Sequence, residues 1–112
     1  MGTVLYEQSS KAVTTSGDSG PLEVGPLTTL AADVNCTAVA GGGTATVFVD
    51  RLGADGVWYP IWSPTAISGA GDTSTSIGPG CATDAVLTST MRFRWTISGT
   101  SVTFSASFIG RP

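Results

Sequence analysis

The chain has 112 residues, a length typical of a single domain. Its net charge is −3, with Lys11 as its only lysine, whereas nucleic-acid-binding domains usually carry a basic stripe, so nucleic-acid binding is disfavoured. Residues are 41% hydrophobic and only 12% charged, a balance that argues against disorder. The sequence contains neither a run of about 20 apolar residues nor a basic start followed by a hydrophobic stretch. It therefore predicts no membrane span and no signal peptide.

The first quarter of the chain gives weak signals. Residues 3–8 are typical of a short strand or an arm, because Val4 and Tyr6 alternate with Leu5 and Glu7 without a clear polar face. Residues 9–20 are rich in Ser, Thr and Gly, which is compatible with an edge strand near residues 12–15 or with a mobile loop. Residues 22–24 form a short candidate strand between two Gly-Pro pairs.

The centre is more regular. In residues 30–38 one face is apolar and carries Cys36, while the other carries Ala, Asp, Asn and Thr. Glycines 41–43 predict a turn, and residues 44–51 predict a strand whose outer face includes Phe48 and Asp50. Residues 53–56 predict the next turn.

Residues 57–62 predict a strand in which Pro60 requires an edge or bulge position. Strict alternation places Trp58 and Trp62 on one face. Residues 63–81 resemble a loop that carries one short strand at 73–77, and residues 84–88 are compatible with a turn or a strand.

The clearest pattern lies in residues 90–110, where two alternating runs flank a Ser-Gly-Thr-Ser turn. No window shows helical periodicity. We therefore predict an all-β fold: a single antiparallel β-sandwich or jelly-roll-like barrel of seven or eight short strands. It spans residues 1–112 as one domain, with residues 1–9 as a candidate N-terminal arm.

The residue types argue against catalysis. The absence of histidine removes the usual general base and most zinc sites, and most acids lie beside Gly, Ser or Thr, where they cap turns. We predict no enzyme activity, no cofactor and no metal. Cys36 is predicted to be a buried small hydrophobe, and a disulfide to Cys81 is the less favoured alternative. The indoles of Trp58 and Trp62 are predicted to lie in the core, with a sugar-stacking platform as the alternative.

Several segments resemble small all-β proteins encoded in the structural-gene clusters of tailed bacteriophages. The likeness covers most of the chain except residues 63–88. The segments that carry it are residues 3–9 (TVLYEQS), 29–34 (TLAADV), 37–41 (TAVAG), 45–50 (ATVFVD), 53–58 (GADGVW), 92–100 (RFRWTISGT) and 102–107 (VTFSAS).

This resemblance implies a virion protein made in the host cytoplasm, and specifically a capsid decoration protein that binds the major capsid protein outside the head. The resemblance also implies a homo-oligomer, with a trimer as the specific expectation. The residues predicted to contact the capsid or a partner are Val4, Leu5, Tyr6, Pro26, Leu27, Arg92 and Arg94. The alternatives are a tail, connector or fibre-associated protein, and a carbohydrate-binding module.

Overall fold

A computed structural model describes residues 3–112 and shows an all-β fold, with no helix among those residues. The prediction of an all-β sandwich is confirmed. The described part of the chain forms nine strands: β1 (Thr3–Val13), β2 (Gly17–Asp18), β3 (Leu22–Glu23), β4 (Thr29–Ala40), β5 (Thr44–Leu52), β6 (Trp58–Trp62), β7 (Gly71–Ile77), β8 (Thr90–Ser98) and β9 (Ser101–Arg111).

The strands form two antiparallel sheets. Sheet I has the order β1-β9-β4-β7, and sheet II has the order β2-β8-β5-β6. The short strands β2 and β3 pair with successive parts of β8, so together they act as one interrupted edge strand. The short turn between β8 and β9 carries the chain from sheet II to sheet I, so these two strands lie in different layers and do not form a hairpin.

The core lies between the sheets and follows from alternation along each strand. Along β9 every second side chain is buried, whereas along β8 Met91 and Phe93 are buried and Trp95 and Ile97 pack partly on the core. Arg92, Arg94 and the serines of β9 point outward. The buried apolar residues include Leu30, Val34, Val47, Val49, Ile77, Met91, Phe93, Phe104 and Phe108. Burying each large side chain of this kind contributes about 1.5–3 kcal/mol, so this layer supplies the main driving force for the fold.

Two glycine turns meet at the end of the sandwich where β8 turns into β9. Gly41 and Gly42 both have positive φ, as the predicted turn between β4 and β5 requires. Gly99 has φ 77°, and a Cβ atom there would lie 2.5 Å from the Gly42 carbonyl oxygen. Glycine is needed at position 99 both for its backbone conformation and for this close approach.

The first nine residues were predicted to be a candidate arm. Met1 and Gly2 lie outside the described residues, and residues 3–9 form the first part of β1, which pairs with β9. Register shifts between Val4 and Tyr6 and between Gln8 and Lys11 interrupt the alternation. These bulges explain why the sequence did not indicate one strand of 11 residues.

Trp62 packs against the core as predicted, whereas Trp58 lies on the outer face of sheet II beneath Arg92, so the core prediction is wrong for Trp58. Strand β6 is an edge strand, as Pro60 requires, but its pairing with β5 shifts between Val49 and Asp50. Trp62 consequently pairs with the buried Val49 and packs against the core, while Pro60 pairs with Asp50. The irregularity reverses the face of Trp62, so Trp58 and Trp62 do not share one.

The rest of the loop-rich region matches the predictions in part. Strand β7 extends the predicted strand at 73–77, whereas residues 84–88 form no strand. Cys36 is buried as predicted, and neither Cys36 nor Cys81 forms a disulfide. Within residues 3–112 there is no helix of the length and apolarity needed to cross a bilayer.

Candidate partner-binding surface

The outer face of sheet II carries a cluster of charged and aromatic side chains around Asp50. Strands β5 and β8 pair so that Asp50 lies opposite Arg92 and Phe48 lies opposite Arg94. The neighbours of these residues along each strand, Val49 and Phe93, point into the core. Alternation therefore directs all four outward-facing side chains to the same side of the sheet.

Asp50 holds both guanidinium groups. Its Oδ2 atom accepts hydrogen bonds from Nε of Arg92 and from Nε of Arg94, each at 2.8 Å. Nη2 of Arg94 also donates to Asp50 Oδ1 at 3.3 Å. The Asp50 side chain is 1% exposed, whereas those of Arg92 and Arg94 are 21% and 27% exposed. The carboxylate is thus covered by the two arginines that it orients.

Each arginine also lies over an aromatic ring. Cζ of Arg92 is 4.4 Å from the ring centroid of Trp58, and Cζ of Arg94 is 3.8 Å from that of Phe48. Such cation–π contacts contribute about 0.5–2 kcal/mol, depending on how far the charge is removed from water. With the Asp50 hydrogen bonds, they fix the plane of each guanidinium. We call Phe48, Asp50, Trp58, Arg92 and Arg94 the arginine cluster.

Sequence analysis identified the two arginines but not the rest of the cluster. The sequence predicted both as contacts with the capsid or a partner, and in the structure both also bind Asp50 of β5. Asp50, Phe48 and Trp58 were missed as members. The sequence contains an Arg-Phe-Arg run and a Phe-Val-Asp run. It does not show that these runs pair, because the register between two strands that are distant in sequence cannot be inferred from either strand alone.

The three N-terminal residues predicted as contacts point in different directions. Val4 is 58% exposed and pairs with Ile109 at the edge of sheet I. Leu5 and Tyr6 pack partly against the core, and the Tyr6 ring stacks on Phe93 at 6.0 Å. Burial raises the pKa of the Tyr6 hydroxyl. Of the three, only Val4 is available as a large apolar contact.

The other two predicted apolar contacts, Pro26 and Leu27, lie just before β4. Pro26 is exposed in the turn before β4, and Leu27 packs partly on the core. Leu27 lines a shallow, largely apolar depression of about 230 Å³ together with Pro79, Val86 and Leu87. Val86 is 68% exposed, and sequence analysis did not single it out.

Four large apolar side chains of the described residues are exposed, and all four lie toward one end of the sandwich. They are Val4, Val57, Tyr59 and Val86. Because β8 turns directly into β9, the start of β8 and the end of β9 lie at this same end. Val4 pairs near the end of β9, and the β5–β6 hairpin closes beside the start of β8. We call these four residues and Leu27 the apolar end.

The arginine cluster borders the apolar end. Trp58, which lies under Arg92, is flanked in sequence by Val57 and Tyr59. Near Trp58, the Tyr59 hydroxyl donates a hydrogen bond to Asp55, which lowers the pKa of Asp55 and raises the pKa of Tyr59. Tryptophan, tyrosine and arginine are the side chains that most often dominate protein-binding energy, and all three occur here.

The outer face of sheet I has a different character. Glu7, Asp33 and Asp72 line a shallow depression of about 520 Å³ together with serines of β9 and hydroxyl residues of β7. No group of three or more acid, Cys or His side chains among residues 3–112 is placed to hold a metal ion. Sheet I therefore presents an acidic, hydroxyl-rich surface, and the exposed arginine pair belongs to sheet II.

Comparison with known proteins returned no match, either to any family model or to any curated protein.

Proposed function

We propose that this chain is a structural protein of a tailed bacteriophage that binds the outside of the assembled head and stabilises it. The observation that carries this proposal is the gathering of exposed large apolar side chains at one end, next to the rigid arginine cluster. Contiguous exposed apolar surface commonly marks a protein-binding site. The resemblance to phage structural proteins supplies the class of partner, the major capsid protein.

The proposed mechanism is stabilisation by mass action. A module that binds the assembled lattice, and not the free capsid subunit, lowers the free energy of the lattice by RT ln(1 + [L]/Kd). At a free concentration of 100 Kd this amounts to about 2.7 kcal/mol per site, repeated over the shell. A sandwich with pre-ordered contact side chains loses little conformational entropy on binding, which favours such a role. We further propose a closed homo-oligomer, with a trimer as the specific case.

The test uses heads assembled from the major capsid protein encoded in the same genome. Purified chain should sediment with intact heads and not with free capsid subunits, and it should raise the temperature at which the heads disrupt. Val57→Asp and Val86→Asp place a charge at the apolar end and should weaken sedimentation at least about tenfold, because each buries a charge without a partner. Thr37→Asp is the matched control, an exposed position of β4 on the other sheet and toward the opposite end of the sandwich.

The outcome also separates the alternatives. Binding to purified tails or connectors instead of heads would support the tail-associated reading and overturn the decoration proposal. Sedimentation with neither structure would overturn the virion assignment. The carbohydrate-binding alternative has lost its paired platform, because Trp62 packs against the core while Arg92 lies over Trp58.

A further inference from the structure

We propose that the Arg92–Arg94 pair is a preformed receptor for a carboxylate on an acidic segment of a partner protein. This inference deepens the proposed function and rests on it for the identity of that partner, the capsid surface. The inference itself concerns the chemistry of the contact, and it can be tested without heads.

The arginine cluster leaves several guanidinium N–H donors without a hydrogen-bond acceptor among the described residues. A guanidinium has five N–H groups. Among the described residues, Arg92 donates a hydrogen bond only through Nε, and Arg94 donates through Nε and Nη2. The remaining Nη groups belong to side chains that stay about a quarter exposed. Arg92 thus keeps both of its Nη groups, and Arg94 keeps Nη1 and one N–H of Nη2, as charged donors of the kind that bind carboxylates.

The arginine cluster carries a positive charge that Asp50 only partly neutralises. Two guanidinium groups share the single carboxylate of Asp50, so the cluster keeps one uncompensated positive charge. Asp18 approaches only as close as 4.0 Å to Nη1 of Arg92, and its side chain is 42% exposed, so water screens most of that attraction. The chain as a whole carries a charge of −3. An acidic partner segment would be repelled by most of this protein and attracted to this site.

The side chains of Arg92 and Arg94 are already held in place before any partner binds. A free arginine loses about 2 kcal/mol of rotamer entropy when it is fixed. Here Asp50, Phe48 and Trp58 have already fixed both side chains, so a partner carboxylate meets donors that need little further ordering. One arginine would be enough to satisfy Asp50. The second arginine, stacked on its own aromatic ring, is the surplus that an incoming anion can use.

The direct test titrates the whole protein with a glutamate-rich peptide while the NMR signals of the arginine Nε–Hε groups are followed. The signals of Arg92 and Arg94 should shift in a saturable manner and those of Arg111 should not. Arg94→Gln should weaken peptide binding about 10- to 100-fold, because it removes a charge-assisted pair of hydrogen bonds. Lys11→Gln is the matched control, since it makes the same charge change at an exposed position of sheet I.

A second arm compares anions. Inorganic polyphosphate at equal charge concentration should compete less well than the glutamate peptide. Absence of shifts at millimolar peptide, or stronger binding of polyphosphate than of peptide, would overturn the carboxylate proposal. Failure of the wild-type chain to bind heads despite saturable peptide binding would overturn the proposed function instead. If the Arg94→Gln variant binds heads as tightly as the wild type does, the arginine pair is not part of the contact with the head, and its binding of the peptide still stands.

Discussion

Asp50 is the residue whose environment departs furthest from its position in the sequence. The alternation of β5 placed it on the outer face with threonines, where an acid is normally solvated. It is nevertheless completely buried, because Arg92 and Arg94 of β8 close over it. The sequence predicted its face correctly, but its burial depends on the register between two strands that are distant along the chain. Periodicity within one strand carries no information about that register.

Replacing Asp50 by alanine should destabilise the fold by about 3 kcal/mol, because two partly buried guanidinium groups would lose their shared counter-charge. The midpoint of urea unfolding, followed by tryptophan fluorescence, measures this change. Asp72→Ala, on the exposed face of β7, should change the free energy of unfolding by no more than about 0.5 kcal/mol. Equal stability of the two variants would show that Asp50 is not held as described.

Tyr59 and Asp55 form a second residue-scale pair whose effect is measurable by titration. The Tyr59 hydroxyl stabilises the ionised carboxylate and lowers the pKa of Asp55. The resulting contribution to stability is present at neutral pH and is lost as the pH falls through the lowered folded-state pKa. Tyr59→Phe should therefore raise the pKa of Asp55 toward its ordinary value, as NMR of its carboxyl carbon would report. An unchanged Asp55 titration would contradict this pairing.

At the scale of elements, the predictions succeeded where alternation is unbroken and failed where a bulge interrupts it. Strands β8 and β9 match the two predicted alternating runs, but they lie in different sheets and do not pair as a hairpin. Strand β1 was divided into an arm and an uncertain edge, since two register shifts disturb its pattern. A single irregularity in β6 likewise turned Trp62 inward. A bulge moves every later side chain to the other face, and no composition signal marked these bulges.

The glycine turns give an element-scale prediction with a close internal control. Gly99 and Gly56 have nearly the same φ, 77° and 80°. A Cβ atom on Gly99 would press on the Gly42 backbone, whereas a Cβ atom on Gly56 would have no neighbouring atom within 4 Å. Gly56→Ala should cost about 1–2 kcal/mol from the left-handed conformation alone. Gly99→Ala should cost about 1–3 kcal/mol more, since the two turns must separate. Chemical denaturation of both variants tests the difference, and equal costs would contradict the close approach.

At the scale of the whole molecule, the sandwich places both described chain ends and the apolar end together. Thr3 pairs with Gly110, and Thr29 pairs with Arg111. The start of β1 and the end of β9 therefore lie at the end of the sandwich where Val4 and Val86 are exposed. The sequence indicated Val4 and Leu27 as contacts, but it could not show that Val57, Tyr59 and Val86 join them. That grouping exists only after residues from four separate segments have been folded together.

This arrangement predicts that residues 2–8 cannot be removed without loss of stability. Residues 3–8 supply part of the ladder between β1 and β9, the Tyr6 ring that stacks on Phe93, and the buried Gln8 amide that donates to the Phe104 carbonyl. Loss of the Tyr6 packing and of this hydrogen bond alone costs about 2–6 kcal/mol, out of a total near 5–15 kcal/mol for a small domain. The melting temperature of the truncated chain, measured by circular dichroism, should therefore fall by at least about 10 °C.

The same truncation would also weaken binding to heads by destabilising the protein, so it cannot test the capsid contact of this segment. Val4→Asp separates the two effects, because Val4 is 58% exposed and its side chain contributes little to the core. This variant should melt within about 3 °C of the wild type and yet bind heads at least about tenfold more weakly, since it brings a charge into a buried apolar contact. A truncated chain that melts as the wild type does would show that residues 3–8 are an independent arm, as one reading of the sequence allowed. Unweakened binding of Val4→Asp would instead place the capsid contact elsewhere on the apolar end.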